Sequence, residues 1–212
     1  MESLSNFTGV SEQRVIARDS EELRVYWSEV ANPEVLLEGA SHKLARLKYQ
    51  QVLREMATRI TAIAFPFPAL VADLEAVDGL LGSESGYYLQ VLARLDGTIQ
   101  YELTATWAEE DRSDLATPVS GKEFQKRRAE SEARIAAIDA KLRDVTVGIV
   151  RQWRSRQERR KHRWFALLAS DDRDRFVAAL RGAGPSEGVR LRLSGPWPPS
   201  EFANVREASV LT

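Results

Sequence analysis

The densest group of ionisable side chains is a basic run between residues 151 and 163. It contains seven lysine and arginine residues and a single acid, with one tryptophan inside it and another just after its end. Cations beside aromatic rings can bind the phosphates of a nucleic acid and stack on its bases. The same pattern is typical of a solvated helix end, where cations complement the helix dipole, or of a dock for an acidic protein. We favour the helix end, and we keep Arg156, Arg159 and Arg160 as candidate partner-binding residues.

Other groups that could do chemistry are few and far apart. The chain has two histidines, His42 and His162, and no cysteine, so thiol nucleophiles, disulfides and zinc thiolate sites are excluded. Gly-rich phosphate loops, GxSxG motifs and HExxH motifs are also missing from the sequence. We predict that both histidines are solvated surface residues and that neither is a general base. No residue can be named as catalytic, and we predict that the protein is not an enzyme.

Two acidic clusters have the oxygen ligands that hard cations prefer. They lie at residues 109–111 and at residues 171–174. The second cluster falls in the first turn of a predicted helix, where acids complement the dipole, so a structural role accounts for it. We therefore predict no metal site, no cofactor and no small-molecule substrate.

The composition is that of a globular protein with balanced charge. Of the 212 residues, 43% are hydrophobic and 29% are charged, and the net charge is −1. Whole-molecule attraction to nucleic acid or to an anionic membrane is not expected at this charge. The N-terminus lacks a basic region followed by an apolar one, and the longest apolar stretch, residues 60–74, is too short to span a bilayer. These features predict a cytoplasmic protein without membrane contact.

The elements that must position these groups alternate between strands and helices. In the first half, hydrophobic periodicity and turn residues predict short elements broken by Gly and Pro. They are strands at residues 14–17, 23–27 and 60–65, and helices at residues 41–59, 69–81 and 84–95, with Ser41 as a helix cap and Gly82 as a helix stop.

The second half contains the clearest strand, residues 99–107, because apolar and polar residues alternate along it. A capping box at Ser120–Glu123 predicts the start of a helix of about 30 residues. The remaining elements are a strand at residues 164–169, a helix at 171–181 and a strand at 189–193. We predict an α+β fold in which these three strands share one sheet with helices on one face. The predicted domains are residues 1–96 and 97–212.

Several segments resemble, in the same order, those of the gas vesicle GvpL/GvpF family. Leu191 to Pro199 with Phe202 is similar to the family's C-terminal signature, in which a strand runs into a Gly-Pro-x-Pro-Pro turn. Leu95 to Leu103 resembles its glycine-led strand, and Ser120 to Arg128 resembles the start of its long helix. Ile63 to Phe67 is similar to a buried strand of the family. The resemblance covers about residues 40 to 205.

The resemblance implies two α+β domains with ferredoxin-like sheets, the first one shortened here, and no catalytic activity. It also implies a cytoplasmic accessory role at gas vesicles, with the hydrophobic shell protein and other accessory proteins as partners. Because exposed apolar surface drives aggregation, we expect a chaperone or nucleation adaptor with an apolar patch where the two domains meet. Candidate contacts are Phe65, Phe67, Trp197 and Phe202. The alternative function is a nucleic-acid-binding or other scaffold module that uses residues 151–163.

The C-terminal tail is predicted to pack against the chain's own fold. Its start is anchored by the strand at residues 189–193, and its three prolines lower the entropy lost when it is ordered. Trp197 and Phe202 would each gain roughly 1.5–3 kcal/mol from full burial. We therefore expect residues 195–202 to fold back, with Trp197 mostly buried.

Overall fold

A computed structural model of the chain describes residues 7–20, 22–36, 39–107, 121–158, 161–182 and 189–203. The chain forms two compact units. Unit 1 consists of residues 1–99 together with residues 196–212, and unit 2 consists of residues 100–195. Unit 1 is therefore assembled from two separate stretches of sequence. The sequence-based domain limits, 1–96 and 97–212, stay a prediction.

Unit 1 combines a two-stranded antiparallel sheet with two long helices. The strands are β1 (Ile16–Ser20) and β2 (Leu23–Trp27), and the helices are α1 (Gly39–Ala57) and α2 (Leu74–Leu95). Its described apolar side chains form three small clusters, seeded by Phe7, by Leu23 and by Val10. In the described part of this unit the sheet has two strands, whereas the four-stranded ferredoxin-like arrangement occurs in unit 2.

Residues 58–65, which we call the wall segment, contain no regular secondary structure. The predicted strand at residues 60–65 is therefore wrong. Its side chains nevertheless alternate in the way a strand's would. Ile60 and Ala62 pack with the Phe7 cluster, whereas Ile63 and Phe65 pack with the Leu23 cluster. The sequence pattern detected the alternation, but no described strand pairs with this segment.

Both helices of unit 1 differ from their predicted limits. α1 begins at Gly39, two residues before the predicted cap Ser41. α2 is one helix that passes through Gly82, where a stop was predicted. Asp73 caps it, because its carboxylate accepts a hydrogen bond from the Ala76 amide at 2.9 Å. Burial of Leu81 and its neighbours in the Leu23 cluster outweighs the cost of about 1 kcal/mol for an interior glycine.

Unit 2 follows the succession strand, helix, strand, strand, helix, strand. The elements are β3 (Thr98–Trp107), α3 (Gly121–Val145), β4 (Val150–Glu158), β5 (Lys161–Ala169), α4 (Arg173–Gly182) and β6 (Val189–Trp197). The strand order β4-β5-β3-β6 is that of a ferredoxin-like sheet. This confirms the predicted α+β fold and the predicted sharing of one sheet by the three strands. The predicted start of α3 at Ser120 lies outside the described residues.

The basic run forms a β-hairpin, so its interpretation as a helix end is wrong. α3 ends at Val145, and β4 and β5 pair antiparallel with Arg154 opposite Phe165 and Ser155 opposite Trp164. One face of β5 packs on the helices, where the indole nitrogen of Trp164 donates to Asp139 at 3.1 Å. The other face of the sheet carries the arginines of β4. Long cationic side chains can cover apolar surface with their aliphatic stems. A strand that carries such side chains on one face therefore has a polar sequence.

The last strand continues past its predicted end. β6 runs through Gly195 to Trp197 and is followed by the short helix α5 (Ser200–Ala203). Gly195 has a φ of +132°, and a Cβ there would lie 2.9 Å from the Tyr101 ring. The close approach of β6 to β3 therefore needs a glycine at this position. The chain then re-enters unit 1 at Pro196.

Candidate partner-binding groove

An open groove of about 860 Å³ lies within unit 1. It is lined by the β1–β2 hairpin, by one side of α1, by the wall segment and by one side of α2. Most of its lining side chains are apolar or aromatic, including Val25, Trp27, Leu53, Ile63, Tyr88 and Leu92. Concave apolar surfaces with few polar groups are the usual form of a binding site.

Three charged residues of the groove lining, Asp19, Arg24 and Arg59, are engaged with neighbours. Arg24 donates to the carboxylate of Asp19 at 2.8 Å, and this hydrogen bond lowers the pKa of Asp19. The Arg59 guanidinium lies over the Phe7 ring, 5.0 Å from its centroid. Among the described residues, no three His, Asp or Glu side chains come close enough together to hold a metal ion. The groove is therefore suited to apolar contact, and its described residues form no metal centre.

Two sides of the groove expose a backbone edge that pairs with no described strand. Of the described strands, β2 pairs with β1 alone. Across the described chain, the backbone amides of Ala62 and Ile63 in the wall segment donate no hydrogen bond. Alternate side chains of β2 and of the wall segment enter the same two apolar clusters, since Val25 joins Ile63 while Tyr26 joins Ala62. A segment placed along either of these edges would find the same two apolar faces.

Beyond its first three residues, whose amides donate to carbonyls of α1, the wall segment is held by hydrogen bonds to described residues at three points. Thr61 donates to Asp96 at 3.1 Å and accepts from the Gly97 amide at 3.2 Å. The Tyr49 hydroxyl donates to the Phe65 carbonyl at 2.6 Å. The third point is Ala64, whose amide donates to the Ser200 hydroxyl oxygen at 2.8 Å. Burial raises the pKa of Tyr49 to about 12, so this donor keeps its proton at physiological pH.

The four aromatic candidates from the sequence occupy different environments. Phe65 lines the groove and meets Tyr88 edge-on, with 6.2 Å between ring centroids. Phe67 lies outside the groove lining and packs on Tyr49 at 5.3 Å. Trp197 is partly buried beneath a guanidinium of α1, and Phe202 is 2% exposed. Phe202 therefore serves the chain's own core, and of the four only Phe65 faces the groove.

Two cations of the basic hairpin, Arg156 and Arg163, are paired with acids. Arg163 donates to both oxygens of Glu102, at 2.8 and 2.7 Å, and also pairs with Glu158 at 3.0 Å. Arg156 pairs with Glu158 at 2.7 Å and lies over the Phe165 ring. Burial raises the pKa of Glu102, but its hydrogen bonds from Arg163 outweigh this and leave the pKa below its ordinary value. These two arginines are engaged with acids and are therefore less available to a phosphate backbone. Arg159 and Arg160 lie outside the described residues.

Both histidines differ from the predicted solvated state. His42 is half-buried, and its Nδ1 lies 2.5 Å from the Leu36 carbonyl oxygen. His162 is buried against the Trp164 ring with 4.3 Å between centroids, and neither of its ring nitrogens has a hydrogen-bond partner in the described chain. Burial lowers the pKa of His162, and the nearby charge of Asp139 opposes this. His162 is thus a neutral packing residue.

Sequence reasoning missed most of the groove. It placed β2 correctly but did not identify Trp27 as a groove residue, and helical spacing does not distinguish Leu44 and Leu47 from the residues of α1 that line the groove. These leucines are 68% and 55% exposed, whereas Leu53 on the same helix lines the groove. The available signal was that β2 carries large apolar side chains on both faces, which a strand covered on one face does not need.

The chain therefore has a two-unit α+β architecture, with a ferredoxin-like sheet in unit 2 and an apolar groove in unit 1. A family model described as gas vesicle synthesis protein GvpL/GvpF matches residues 1–204. The chain belongs to the GvpL/GvpF family, as its C-terminal signature predicted.

Solved structures agree with this fold. GvpF from Anabaena sp. PCC7120 is similar with a TM-score of 0.76 and 15% identity, over 97% of this chain and 92% of that chain. GvpF from Microcystis aeruginosa is similar with a TM-score of 0.73 and 14% identity, over 93% of this chain and 92% of that one. No curated protein sequence matches the chain significantly. In the part of the chain that the structure describes, no helix has the length and apolarity needed to cross a membrane.

Proposed function

We propose that the protein is a non-enzymatic assembly factor for gas vesicles that shields the hydrophobic shell protein before it joins the vesicle wall. It would act in the cytoplasm, as a chaperone or nucleation adaptor, together with other gas vesicle proteins. The observation that carries this proposal is the open apolar groove of unit 1, in a chain whose family is one of gas vesicle synthesis proteins. The sequence-based hypothesis expected an apolar patch where the two domains meet, and the proposal now rests on a groove inside unit 1.

The groove fits an apolar segment of a partner better than a small molecule. It is open, Asp19, Arg24 and Arg59 in its lining are engaged with one another or with a ring, and two of its sides expose a backbone edge that pairs with no described strand. A segment added along such an edge gains main-chain hydrogen bonds, and pockets for its alternate side chains give selectivity. A shell subunit whose apolar surface is covered in this way would be protected from aggregation until it is transferred.

The test is co-purification of the tagged protein with the shell protein after co-expression. Leu53→Gln places a polar side chain in the groove, and Leu47→Gln makes the same change on the same helix at a 55% exposed position outside the groove lining. We expect wild type and Leu47→Gln to retain the shell protein and Leu53→Gln to lose most of it, with circular dichroism showing that both variants are folded.

Two outcomes would count against the proposal. If the wild-type chain retains no shell protein and deletion of its gene leaves vesicles normal, the assembly role is wrong. If Leu47→Gln abolishes retention and Leu53→Gln does not, the exposed leucines of α1 bind the partner and the groove does not.

A further inference from the structure

The last two residues of β6 and the residues after them form a strap, residues 196–203, which belongs to unit 1 although it is about 100 residues away in sequence. Its prolines at 196, 198 and 199 are buried, and Phe202 and Ala203 are almost completely enclosed. The Arg54 guanidinium of α1 lies 4.5 Å from the centroid of the Trp197 ring. The strap is therefore a structural part of unit 1.

Hydrogen bonds between described residues fix the strap to two different parts of unit 1. On α2, the Tyr87 hydroxyl donates to the Ala203 carbonyl at 2.6 Å, and Arg94 donates to the Phe202 carbonyl at 2.8 Å. The third goes to the wall segment, where the Ala64 amide donates to the Ser200 hydroxyl oxygen at 2.8 Å. Two of these contacts therefore fix the strap to a helix, and the third connects the strap to the wall segment of the groove.

The Ser200 contact reaches the wall segment where its own structure is weakest. The segment lacks regular secondary structure, and Ala64 follows the two amides that donate no hydrogen bond within the described chain. Ser200 does not line the groove, so it cannot act by touching a ligand there. Its effect would pass through the position of the wall.

We infer that Ser200 is a positioning residue, and that the strap sets the groove for its partner by holding the wall segment through the Ala64 amide. This inference rests on the proposed function, since it concerns the affinity of that same groove. An ordered wall lowers the ordering cost of binding. Without the hydroxyl, the Ala64 amide loses its partner among the described residues and the wall samples other positions, while Tyr87 and Arg94 keep the strap on α2.

The experiment measures binding of a fluorescently labelled peptide, carrying one hydrophobic segment of the shell protein, to three full-length variants. Ser200→Ala removes the link to the wall, Ser200→Thr restores a hydroxyl, and Tyr87→Phe removes a strap hydrogen bond that does not touch the wall. From the usual worth of one hydrogen bond, we expect Ser200→Ala to bind about three- to tenfold more weakly. Ser200→Thr and Tyr87→Phe should bind within about twofold of wild type.

Hydrogen exchange of the Ala64 amide gives a second, independent readout. We expect faster exchange in Ser200→Ala and wild-type exchange in Tyr87→Phe. Unchanged affinity in Ser200→Ala with accelerated Ala64 exchange would overturn the inference, because the wall would be loosened without effect on binding. Equal weakening by Tyr87→Phe would also overturn it, by showing a general loss of strap stability. Failure of the wild-type chain to bind the peptide would instead refute the proposed function, and the Ala64 exchange would still report on the link.

Discussion

Phe202 should contribute far more to stability than Trp197, although tryptophan is the larger side chain. The Phe202 ring is 2% exposed and is the innermost aromatic of the strap. Replacing a fully buried Phe by Ala costs about 3–5 kcal/mol, because apolar contact is lost and a cavity remains. Trp197 is only partly buried and has a guanidinium over its ring. Its truncation should cost roughly 1–2 kcal/mol, of which about 0.5–1 kcal/mol is the cation–π contact.

The assay is thermal unfolding of Phe202→Ala and Trp197→Ala beside wild type. At about 4 °C per kcal/mol for a unit of this size, Phe202→Ala should lower Tm by roughly 12–20 °C and Trp197→Ala by roughly 4–8 °C. Because two compact units need not unfold together, hydrogen exchange should locate the effect. Amides of α2 should lose protection in Phe202→Ala, whereas those of β5 should keep it. A larger loss for Trp197→Ala would refute this assignment of the strap's core residue.

Other substitutions test unit 2 and the helix glycines. Burial lowers the pKa of His162, so the fold favours the neutral imidazole. Its contribution to stability is present above about pH 6.5 and is lost as pH falls. The urea midpoints at pH 7.5 and 5.5 should therefore differ less in His162→Phe than in wild type. Glu102→Gln should cost about 1–2 kcal/mol in urea unfolding, because it leaves the half-buried Arg163 with one acid instead of two; a cost below 0.3 kcal/mol would show that the pair is unimportant. Gly195→Ala should cost about 1–3 kcal/mol from its positive φ and the close ring. Gly82→Ala, in open space on α2, should raise Tm by a few degrees; a lower Tm would contradict the helical account of this glycine.

The sequence predicted most of unit 2 because its determinants are local. Alternation identified β3, and an apolar run identified the core of β5, where Trp164 and Phe165 are buried. β4 was missed because its signal is divided between a half-buried tryptophan and arginines such as Arg154. Residue type alone does not distinguish an arginine on a sheet face from an arginine at a helix end. What differs is the neighbouring strand, in which Phe165 lies opposite Arg154 and beneath the guanidinium of Arg156.

The groove could not be predicted because it depends on a pairing that does not occur. Ile60 to Phe65 has the composition and alternation of a strand, and local reasoning placed it in a sheet. Whether such a segment finds a hydrogen-bonded neighbour is decided by distant parts of the chain, here including Ser200. The stop predicted at Gly82 fails for a related reason, since tertiary burial of α2 overrides the local preference of glycine.

The discontinuity of unit 1 sets an order of events during synthesis. Chains emerge from the N-terminus at about 5–20 residues per second, and about 100 residues separate Ile99 from the strap. For roughly 5–20 s, α1, α2 and the wall segment therefore exist without Phe202 in their core and without the Ser200 link. A nascent or prematurely terminated chain should then be unable to hold the groove in its final form. The final form of the groove is therefore available only on molecules whose synthesis has reached the strap.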